Sequence, residues 1–293
     1  MSIVPNIQPQ TPCLIGGRTF EWGSKTFVMG VINVTPDSFS GDGVDSDVES
    51  AVQTAKNFAK WGCDIIDVGG ESTRPSMTYA DAATTSEVEE LRRVVPAIEA
   101  IVAATDLPVS VDTYKATVAR AAIEAGASLV NDVWGLQADP DMARVVVSAG
   151  VPVVLMHNQD HTRYADVVPD VVGRLAELRD GAIDAGIPQG NIILDPGMGF
   201  GKTAANNLDL LARLDELQVL GAPILVGMSR KSTIGKVLDL PPDDRVEGTA
   251  ATVALSIAGG ADIVRVHDVR EMVRVSRMTD AVIRGWPPPP APK

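Results

Sequence analysis

Several apolar stretches of the sequence end on side chains that can bind or react. Each stretch is rich in Val and Ile, and the polar endings are Asn33, Asp112, Asn131, Asp195, Ser229 to Lys231, and Arg265 to His267. Strands that are buried on both faces of a parallel sheet read as continuous apolar runs. In a closed parallel barrel, the carboxyl ends of the strands carry the chemistry. The pattern therefore predicts one site built from distant parts of the chain.

The acidic and amide endings suit the recognition of a planar heterocycle. Asp112, Asn131 and Asp195 close three different apolar runs. Their oxygens can accept hydrogen bonds from the N–H groups of a guanidine-like heterocycle edge, and they can also ligate a metal ion. A salt-bridge network within the protein is the structural alternative. We favour hydrogen-bonding recognition of a base.

The basic endings suit an anion. Lys231 follows the seventh apolar run, and Arg265 and His267 share one face of the eighth because side chains alternate along a strand. Loops after the seventh and eighth strands of a barrel frequently bind phosphate. The formal net charge of −13 excludes a general attraction to nucleic acid or to an anionic membrane. An anion must therefore be bound by local cations such as these three residues.

Two loops add candidate ligands. Gly69 to Pro75 ends the second run and places the Arg74 guanidinium, which suits a carboxylate or phosphate, at the predicted active face. Gly197 to Lys202 is superficially like a phosphate loop, but Pro196 stands where the Walker motif needs its first glycine. We interpret this loop as a wall whose Phe200 is available for stacking.

A zinc site is not expected at the two nearby histidines. His157 and His161 are four residues apart, but the stretch lacks the glutamate of the zinc-protease motif and follows a strand. Met156, at the end of that strand, is interpreted as a pocket wall.

The elements that position these residues alternate regularly. Strands are predicted at 27–34, 64–70, 108–112, 128–133, 152–157, 191–195, 223–228 and 263–267. Helices are predicted at 46–61, 86–104, 114–125, 139–149, 167–186, 205–219, 246–259 and 268–284. Eight strand–helix units in one run favour a single (β/α)8 TIM barrel over an open sheet, whose dinucleotide fingerprint is missing after the first strand.

The two ends of the chain have other patterns. Gly16 and Gly17 between short apolar stretches predict a β-hairpin over about 13–26, which we place at the amino end of the barrel. We expect one domain over 1–285 and a disordered Pro-rich tail over 286–293. The two cysteines are far apart, and no signal peptide or membrane span is expected, so the prediction is a cytoplasmic protein.

The same residues closely resemble the dihydropteroate synthase family of folate biosynthesis. The resemblance covers roughly residues 27–284 and rests on Asn-Val-Thr-Pro-Asp-Ser-Phe-Ser, Gly-Glu-Ser-Thr-Arg-Pro, Ser-Val-Asp-Thr, Asn-Asp-Val, Asp-Pro-Gly-Met-Gly-Phe-Gly-Lys, Ser-Arg-Lys-Ser and Arg-Val-His-Asp. It implies a homodimeric TIM barrel that condenses 6-hydroxymethyl-7,8-dihydropterin pyrophosphate with 4-aminobenzoate. It also implies the use of Mg²⁺ and the release of pyrophosphate.

The resemblance also implies roles for individual residues. Pterin would be bound by Asp112, Asn131, Asp195 and Lys231, with Met156 and Gly227 in the same substrate pocket. Pyrophosphate would be handled by Asn33, Arg265 and His267, with Asn33 near the metal. The aminobenzoate pocket would be shaped by Thr73, Arg74, Pro75, Phe200 and Ser232. Asn33, Asp112, Lys231, Arg265 and His267 form the expected catalytic set.

Two loops depart from the family pattern. Ser40 is followed by Gly41-Asp42-Gly43 rather than Asp-Gly-Gly, so the counterpart of the usual loop aspartate is open, and loop 76–85 is a few residues longer than usual. We hypothesise that the longer loop changes sulfonamide affinity more than turnover. Two alternatives share the barrel: a non-catalytic pterin-binding paralogue and the pterin-binding domain of a corrinoid-linked methyltransferase.

Overall fold

The computed structural model of the protein describes residues 10–34, 44–71 and 85–286. Its main sheet contains eight parallel strands. They are β3 Phe27–Asn33, β4 Ile65–Gly69, β5 Val109–Asp112, β6 Leu129–Asp132, β7 Val153–Met156, β8 Ile192–Asp195, β9 Leu225–Val226 and β10 Ile263–Val266. All eight predicted strands are confirmed.

The sheet closes on itself. Strand β3 pairs with β4 on one side and with β10 on the other, and β10 pairs with β9. A parallel bridge between Leu194 and Ile224 joins β8 to the segment that enters β9. The structure is therefore the predicted (β/α)8 barrel.

The helices surround the barrel. They are α1 Val44–Trp61, α2 Glu87–Ala104, α3 Ala116–Glu124, α4 Met142–Ala149, α5 Val167–Asp184, α6 Ala204–Ala212, α7 Ser232–Leu238, α8 Val246–Ala258 and α9 Val269–Ile283. The sequence did not predict α7. The helix predicted over 205–219 is divided into α6 and a 3-10 segment, Leu214–Leu220. The buried leucines of that segment recur every three residues, a spacing that both helix types accept.

Side chains of the barrel strands alternate between two apolar layers. Outward-facing residues such as Val28, Ile66 and Val130 pack in the core between sheet and helices. Inward-facing residues form a separate cluster at the amino end of the barrel, made of Met29, Ile65, Leu129, Val154, Ile193, Leu225 and Ile263 together with residues of the N-terminal segment. The alternation fixes which side chains enter the barrel.

The predicted N-terminal hairpin closes the amino end. Its strands, β1 Cys13–Ile15 and β2 Arg18–Phe20, are antiparallel, and both turn glycines have positive φ, as a two-residue turn of type I′ requires. Ile15 and Phe20 are buried against the inner apolar cluster. The hairpin therefore leaves the carboxyl end as the face for chemistry.

The predicted tail over 286–293 lies outside the described residues except for Trp286, which is exposed. The extent of the single domain stays a prediction. Among the described helices, none is both long enough and apolar enough to cross a membrane.

Candidate active site

The inner apolar layer changes to a polar layer two residues further along each strand. Because inward-facing positions recur every two residues, Ile65 is followed by Asp67, Ile193 by Asp195 and Ile263 by Arg265. The other inward positions of this layer are Asn131, Met156 and Gly227. The register of the barrel, rather than proximity in sequence, brings these residues into one site.

Arg265 lies at the centre of the polar layer. Its Nε donates to Asp67 Oδ2 at 2.7 Å, and its Nη2 donates to Asp112 Oδ2 at 2.7 Å. Asn131 Nδ2 also donates to Asp67 Oδ2, at 3.1 Å. The sequence assigned Arg265 to the anion and Asp112 to the heterocycle, whereas the structure joins them in one ion-pair network.

The carboxylates of this network retain free acceptor atoms. Within the described part of the chain, Asp67 Oδ1 and Asp112 Oδ1 are buried without a hydrogen-bond partner. Burial raises the pKa of Asp112 to about 7, and the positive charge of Arg265 opposes the increase. Such acceptors suit the N–H groups of a buried heterocycle or a cation.

Asn33 lies beside Asp112. A Cβ built on Gly69, the last residue of β4, would lie 3.7 Å from both Asn33 Oδ1 and Asp112 Oδ2. The amide oxygen and the carboxylate oxygen therefore approach the same uncovered stretch of backbone. Strands β3, β4 and β5 supply these three residues, as adjacent positions in the register show.

A second group of site residues lies on the other side of the barrel mouth. Gly197 N donates to Asp195 Oδ1 at 2.7 Å, and Lys231 Nζ donates to the Met198 carbonyl. Lys231 Nζ also lies 4.8 Å from the centre of the Phe200 ring. The predicted wall and the predicted lysine are thus in contact.

Electrostatics in this group follow from burial. Burial raises the pKa of Asp195, and nearby Lys231 opposes this. Burial lowers the pKa of Lys231 to about 8, and Asp195 opposes that change. Gly227 keeps the pocket open, because a Cβ there would lie 3.9 Å from Lys231 Nζ and 3.8 Å from Arg265 Cβ.

Lys202 holds the Phe200 loop from behind. Its buried Nζ donates to the carbonyls of Gly197 and Phe200, both at 3.0 Å, and lies 2.9 Å from His157 Nδ1. Burial lowers the pKa of Lys202 to about 7 and that of His157 to about 3. Three acceptors match the three N–H donors of an ammonium, so Lys202 fixes the loop rather than facing the pocket.

His267 is oriented by Ser229. The Ser229 hydroxyl oxygen accepts from the His267 backbone N–H at 3.1 Å and lies 3.0 Å from His267 Nδ1. Burial and the charge of Arg265 lower the pKa of His267 to about 4. We infer that the Ser229 hydroxyl donates to Nδ1, which leaves the proton of the neutral ring on Nε2.

The loop from Ser229 to Lys231 is held rigidly. Arg230 has a φ of 57° and pairs through its guanidinium with Asp268. Arg245 Nη1 donates to the Arg230 carbonyl at 2.9 Å. The loop then leads into α7, whose first residue is the half-buried Ser232. These contacts fix the backbone from which Lys231 extends.

The second loop is anchored at both of its described ends. Glu71 Oε1 accepts from the Thr85 N–H at 3.1 Å, and Lys115 Nζ donates to Glu71 Oε2 at 2.6 Å and to the Thr85 carbonyl at 2.8 Å. The residues predicted in this loop, Thr73, Arg74 and Pro75, lie outside the described residues, as does Asp42.

Three functional residues are not evident from the sequence pattern. Asp67 lies in the middle of an apolar strand, where its position two residues after Ile65 is the available signal. Ser229 stands out only as a neighbour of Lys231, and Lys202 only as part of an incomplete phosphate motif. Their partners come from other strands, so spacing along the chain could not reveal their roles.

No group of three or more His, Cys, Asp or Glu residues in the described ranges is arranged to hold a metal ion. Mg²⁺ is commonly bound by one or two protein carboxylates together with phosphates of the substrate, so a smaller donor set is sufficient. Asn33 Oδ1 and the unpartnered Asp112 Oδ1 provide hard oxygen donors of this kind. These residues fit a metal that arrives with a phosphorylated substrate.

Comparison with known proteins agrees with this chemistry. The model of the pterin-binding enzyme family matches residues 29–267. A dihydropteroate synthase of Clostridium beijerinckii is 51% identical over 271 residues, which cover 92% of this chain and 99% of that protein. The dihydropteroate synthase of Bacillus subtilis is 50% identical over 263 residues, 90% of each chain.

Solved structures show the same similarity. A dihydropteroate synthase from Clostridium difficile, crystallised in the presence of pteroic acid, has a TM-score of 0.86 and 48% identity, covering 90% of this chain and 99% of that chain. The Xanthomonas albilineans dihydropteroate synthase with 4-aminobenzoic acid has a TM-score of 0.87 and 44% identity, covering 93% and 98%.

Proposed function

The chain belongs to the dihydropteroate synthase family of pterin-binding enzymes, and we propose that it condenses 6-hydroxymethyl-7,8-dihydropterin pyrophosphate with 4-aminobenzoate to form 7,8-dihydropteroate. The observation that carries this proposal is the single polar layer in which buried carboxylate acceptors surround Arg265 and face Lys231. One end of the barrel can therefore bind an N–H-rich heterocycle and a polyanion together.

The pterin is bound by the acceptors of the inner layer. Asp195 accepts from the 2-amino group and N3, and Lys231 donates to the pterin carbonyl. Asn131 and Asp112 complete the edge, while Met156 and Gly227 line its faces. Burial of Asp195 and Asp112 supports these roles, because a buried carboxylate is stabilised strongly by N–H donors.

Bond cleavage needs stabilisation of two charges. The bond between the pterin methylene carbon and the pyrophosphate oxygen breaks, and its electron pair leaves with pyrophosphate. Arg265 and the Nε2–H of His267 stabilise the leaving anion, while Asp112 stabilises the cationic methylene. The geometry supports this division, because Arg265 lies between Asp112 and the strand that carries His267.

The amine of 4-aminobenzoate then attacks the methylene carbon. Its nitrogen lone pair forms the C–N bond, and the nitrogen loses a proton to water or to the departing pyrophosphate. An aniline is a weak base and needs little deprotonation before attack, so no dedicated general base is required. Phe200 and Ser232, together with Thr73, Arg74 and Pro75, form the pocket for the aminobenzoate ring and carboxylate.

Mg²⁺ is the proposed metal, and Asn33 with Asp112 would hold it. When bound, it neutralises charge on the pyrophosphate oxygens. The amide and carboxylate oxygens beside Gly69 support the assignment.

A homodimer through the last two helices is also proposed. Leu255 on α8 and Met278 and Val282 on α9 are large apolar side chains that are 58%, 66% and 63% exposed. Such a patch suits a protein interface. The two cysteines are buried thiols without a disulfide, which supports a reducing cytoplasm as the location.

The direct test is to incubate the purified protein with the pterin pyrophosphate, Mg²⁺ and 4-aminobenzoate and to follow pyrophosphate release. We expect release that depends on all three and matches the amount of dihydropteroate formed. Release that ignores 4-aminobenzoate, or no release, would contradict the synthase proposal. Binding of the pterin without turnover would instead support a non-catalytic pterin-binding protein.

A further inference from the structure

A second cavity lies at the opposite end of the barrel from the candidate active site. It has a volume of about 270 Å³ and is enclosed by the segment after the hairpin, the loop after α1 and one face of α9. Val28, near the start of β3, and Val273 on α9 give it apolar walls, and the exposed Trp286 indole stands at its rim. The cavity is large enough for a small organic molecule.

The acidic residues of the cavity already have partners. Asp64 pairs with Lys25 and accepts from the Val28 N–H at 2.8 Å. Asp280 accepts from the Thr26 N–H and hydroxyl, both at 2.8 Å, and from Arg284 Nε at 2.9 Å. Both carboxylates therefore hold the walls of the cavity together.

The basic and hydroxyl groups retain unused donors. The Arg284 side chain is 9% exposed, and its Nη1 and Nη2 are buried without a hydrogen-bond partner in the described part of the chain. Ser276 is 2% exposed, and its hydroxyl likewise lacks a partner among the described residues. Unpaired buried donors of this kind are costly unless a ligand or water satisfies them.

Arg277 brings a second guanidinium to the same cavity. No salt bridge or hydrogen bond to another described residue occupies it, and it lies against Gly62, where a Cβ would be 2.7 Å from Arg277 Nη2. Gly62 has a φ of 92° and ends the turn after α1. The absence of a side chain at Gly62 therefore leaves the space that the Arg277 guanidinium takes.

We propose that this cavity binds a small carboxylate with an apolar body, held by the Arg277 and Arg284 guanidinium groups and the Ser276 hydroxyl. Guanidinium groups match the planar, two-oxygen geometry of a carboxylate. The apolar walls and Trp286 suit a hydrocarbon body, which inorganic phosphate lacks. In a chain with a net charge of −13, the excess of basic over acidic side chains in this cavity is a local exception.

The cavity is also separate from the proposed dimer patch. Its α9 residues, such as Val273, Arg277 and Arg284, share one face, whereas Met278 and Val282 lie on a different face at 100° per residue. A ligand in the cavity therefore need not compete with a second copy of the chain.

The test uses the full chain and two-dimensional NMR, with cyclohexanecarboxylate as the probe and cyclohexanecarboxamide as its neutral counterpart. We expect the acid, and not the amide, to give saturable shifts of the Ser276 and Arg277 amides and the Trp286 indole N–H. Arg284→Lys keeps a cation beside Asp280 but loses the fork, and it should raise the dissociation constant about tenfold or more. Arg277→Gln should raise it about fivefold, because this side chain is exposed.

Arg274→Gln is the matched control on the same helix, since Arg274 is exposed and does not line the cavity. It should change the affinity less than about twofold. Equal binding of acid and amide, a loss in Arg274→Gln equal to that in Arg277→Gln, or shifts confined to Gly199 and Gly227 would overturn the proposal. Saturable binding of inorganic phosphate without binding of the acid would also overturn it.

Discussion

The two ends of the barrel interior differ in chemistry although the same strands build both. At the amino end, inward-facing Ile65, Leu129 and Ile193 pack with the hairpin in a closed apolar cluster. Two residues further on, the same faces of the same strands present Asp67, Asn131 and Asp195. A shift of one step in the inward period thus separates the residues that stabilise the barrel from those that react.

The comparison shows how a stable fold carries a costly site. Buried charges are unfavourable unless they are paired, and the ionic layer contains two carboxylates that share one guanidinium. The apolar layer below it is buried throughout and has no such cost. Substitutions at the two ends should therefore affect different properties, stability at one end and turnover at the other.

The largest effect is expected from Asp195→Ala at the reactive end. The proposed loss of two charge-assisted hydrogen bonds to the pterin should lower kcat/KM about 10³-fold. Thermal unfolding should change little, because no ion pair is broken. Steady-state kinetics checks the first result, and Asp184→Ala, at an exposed position on α5, is the control. Near-normal turnover would show that Asp195 does not bind the pterin.

Arg265→Met should break the ionic layer. Asp67 and Asp112 would lose their common cation, and the free energy of unfolding should fall by about 3–5 kcal/mol at pH 8. The pKa of Asp112 is already raised by burial to about 7, so its contribution to stability is lost as pH rises through that value. Without Arg265 this loss should be steeper.

Urea titrations of the Arg265→Met variant at pH 5 and pH 8 measure the effect. The destabilisation should be smaller at pH 5, where protonation removes the buried negative charge. The exposed Arg270→Met variant is the control. A pH-independent loss would contradict the assigned network.

Ile193→Ala tests the apolar end of the same strand. Removal of a fully buried isoleucine should lower the free energy of unfolding by about 2–4 kcal/mol, while turnover per folded molecule should stay within twofold. Ile183→Ala, at a position 37% exposed, is the matched control. A large loss of turnover with little loss of stability would show that the two ends are not functionally separate.

Lys202→Met should have a moderate effect that is specific to one substrate. Without the contacts to the Gly197 and Phe200 carbonyls, the Phe200 wall is less firmly held. We expect the KM for 4-aminobenzoate to increase about tenfold with kcat nearly unchanged, as for a positioning residue. Lys236→Met, on the exposed face of α7, provides the comparison. A fall in kcat alone would point to a direct role in bond cleavage.

The smallest effect is expected in the pH profile of kcat/KM. The pKa of about 7 for Asp112 and of about 8 for Lys231 predict a rise through the first value and a fall through the second. His267, with a pKa lowered to about 4, stays neutral over this range. Asp112→Asn should remove the acid limb, and His267→Gln should retain it. Loss of that limb in His267→Gln would assign the titration to the histidine.

The strand endings carry most of the information that the sequence holds about fold and site. Asn33, Asp112 and Asp195 end apolar runs, and this pattern identifies both the barrel and the residues at its mouth. The eight strands are predicted to within two or three residues. The helix at 232–238 is not predicted because it is a short segment inside a connecting loop.

The sequence by itself determined the alternation of elements, the hairpin turn and the chemical types available at the strand ends. Only the tertiary structure decided which of them are partners. Arg265 pairs with Asp67 across 198 positions of sequence, because closure of the barrel brings β10 beside β3 and next to β4. Strand register and ring closure are long-range properties, so local patterns specified the ligands but not the network that sets their charge.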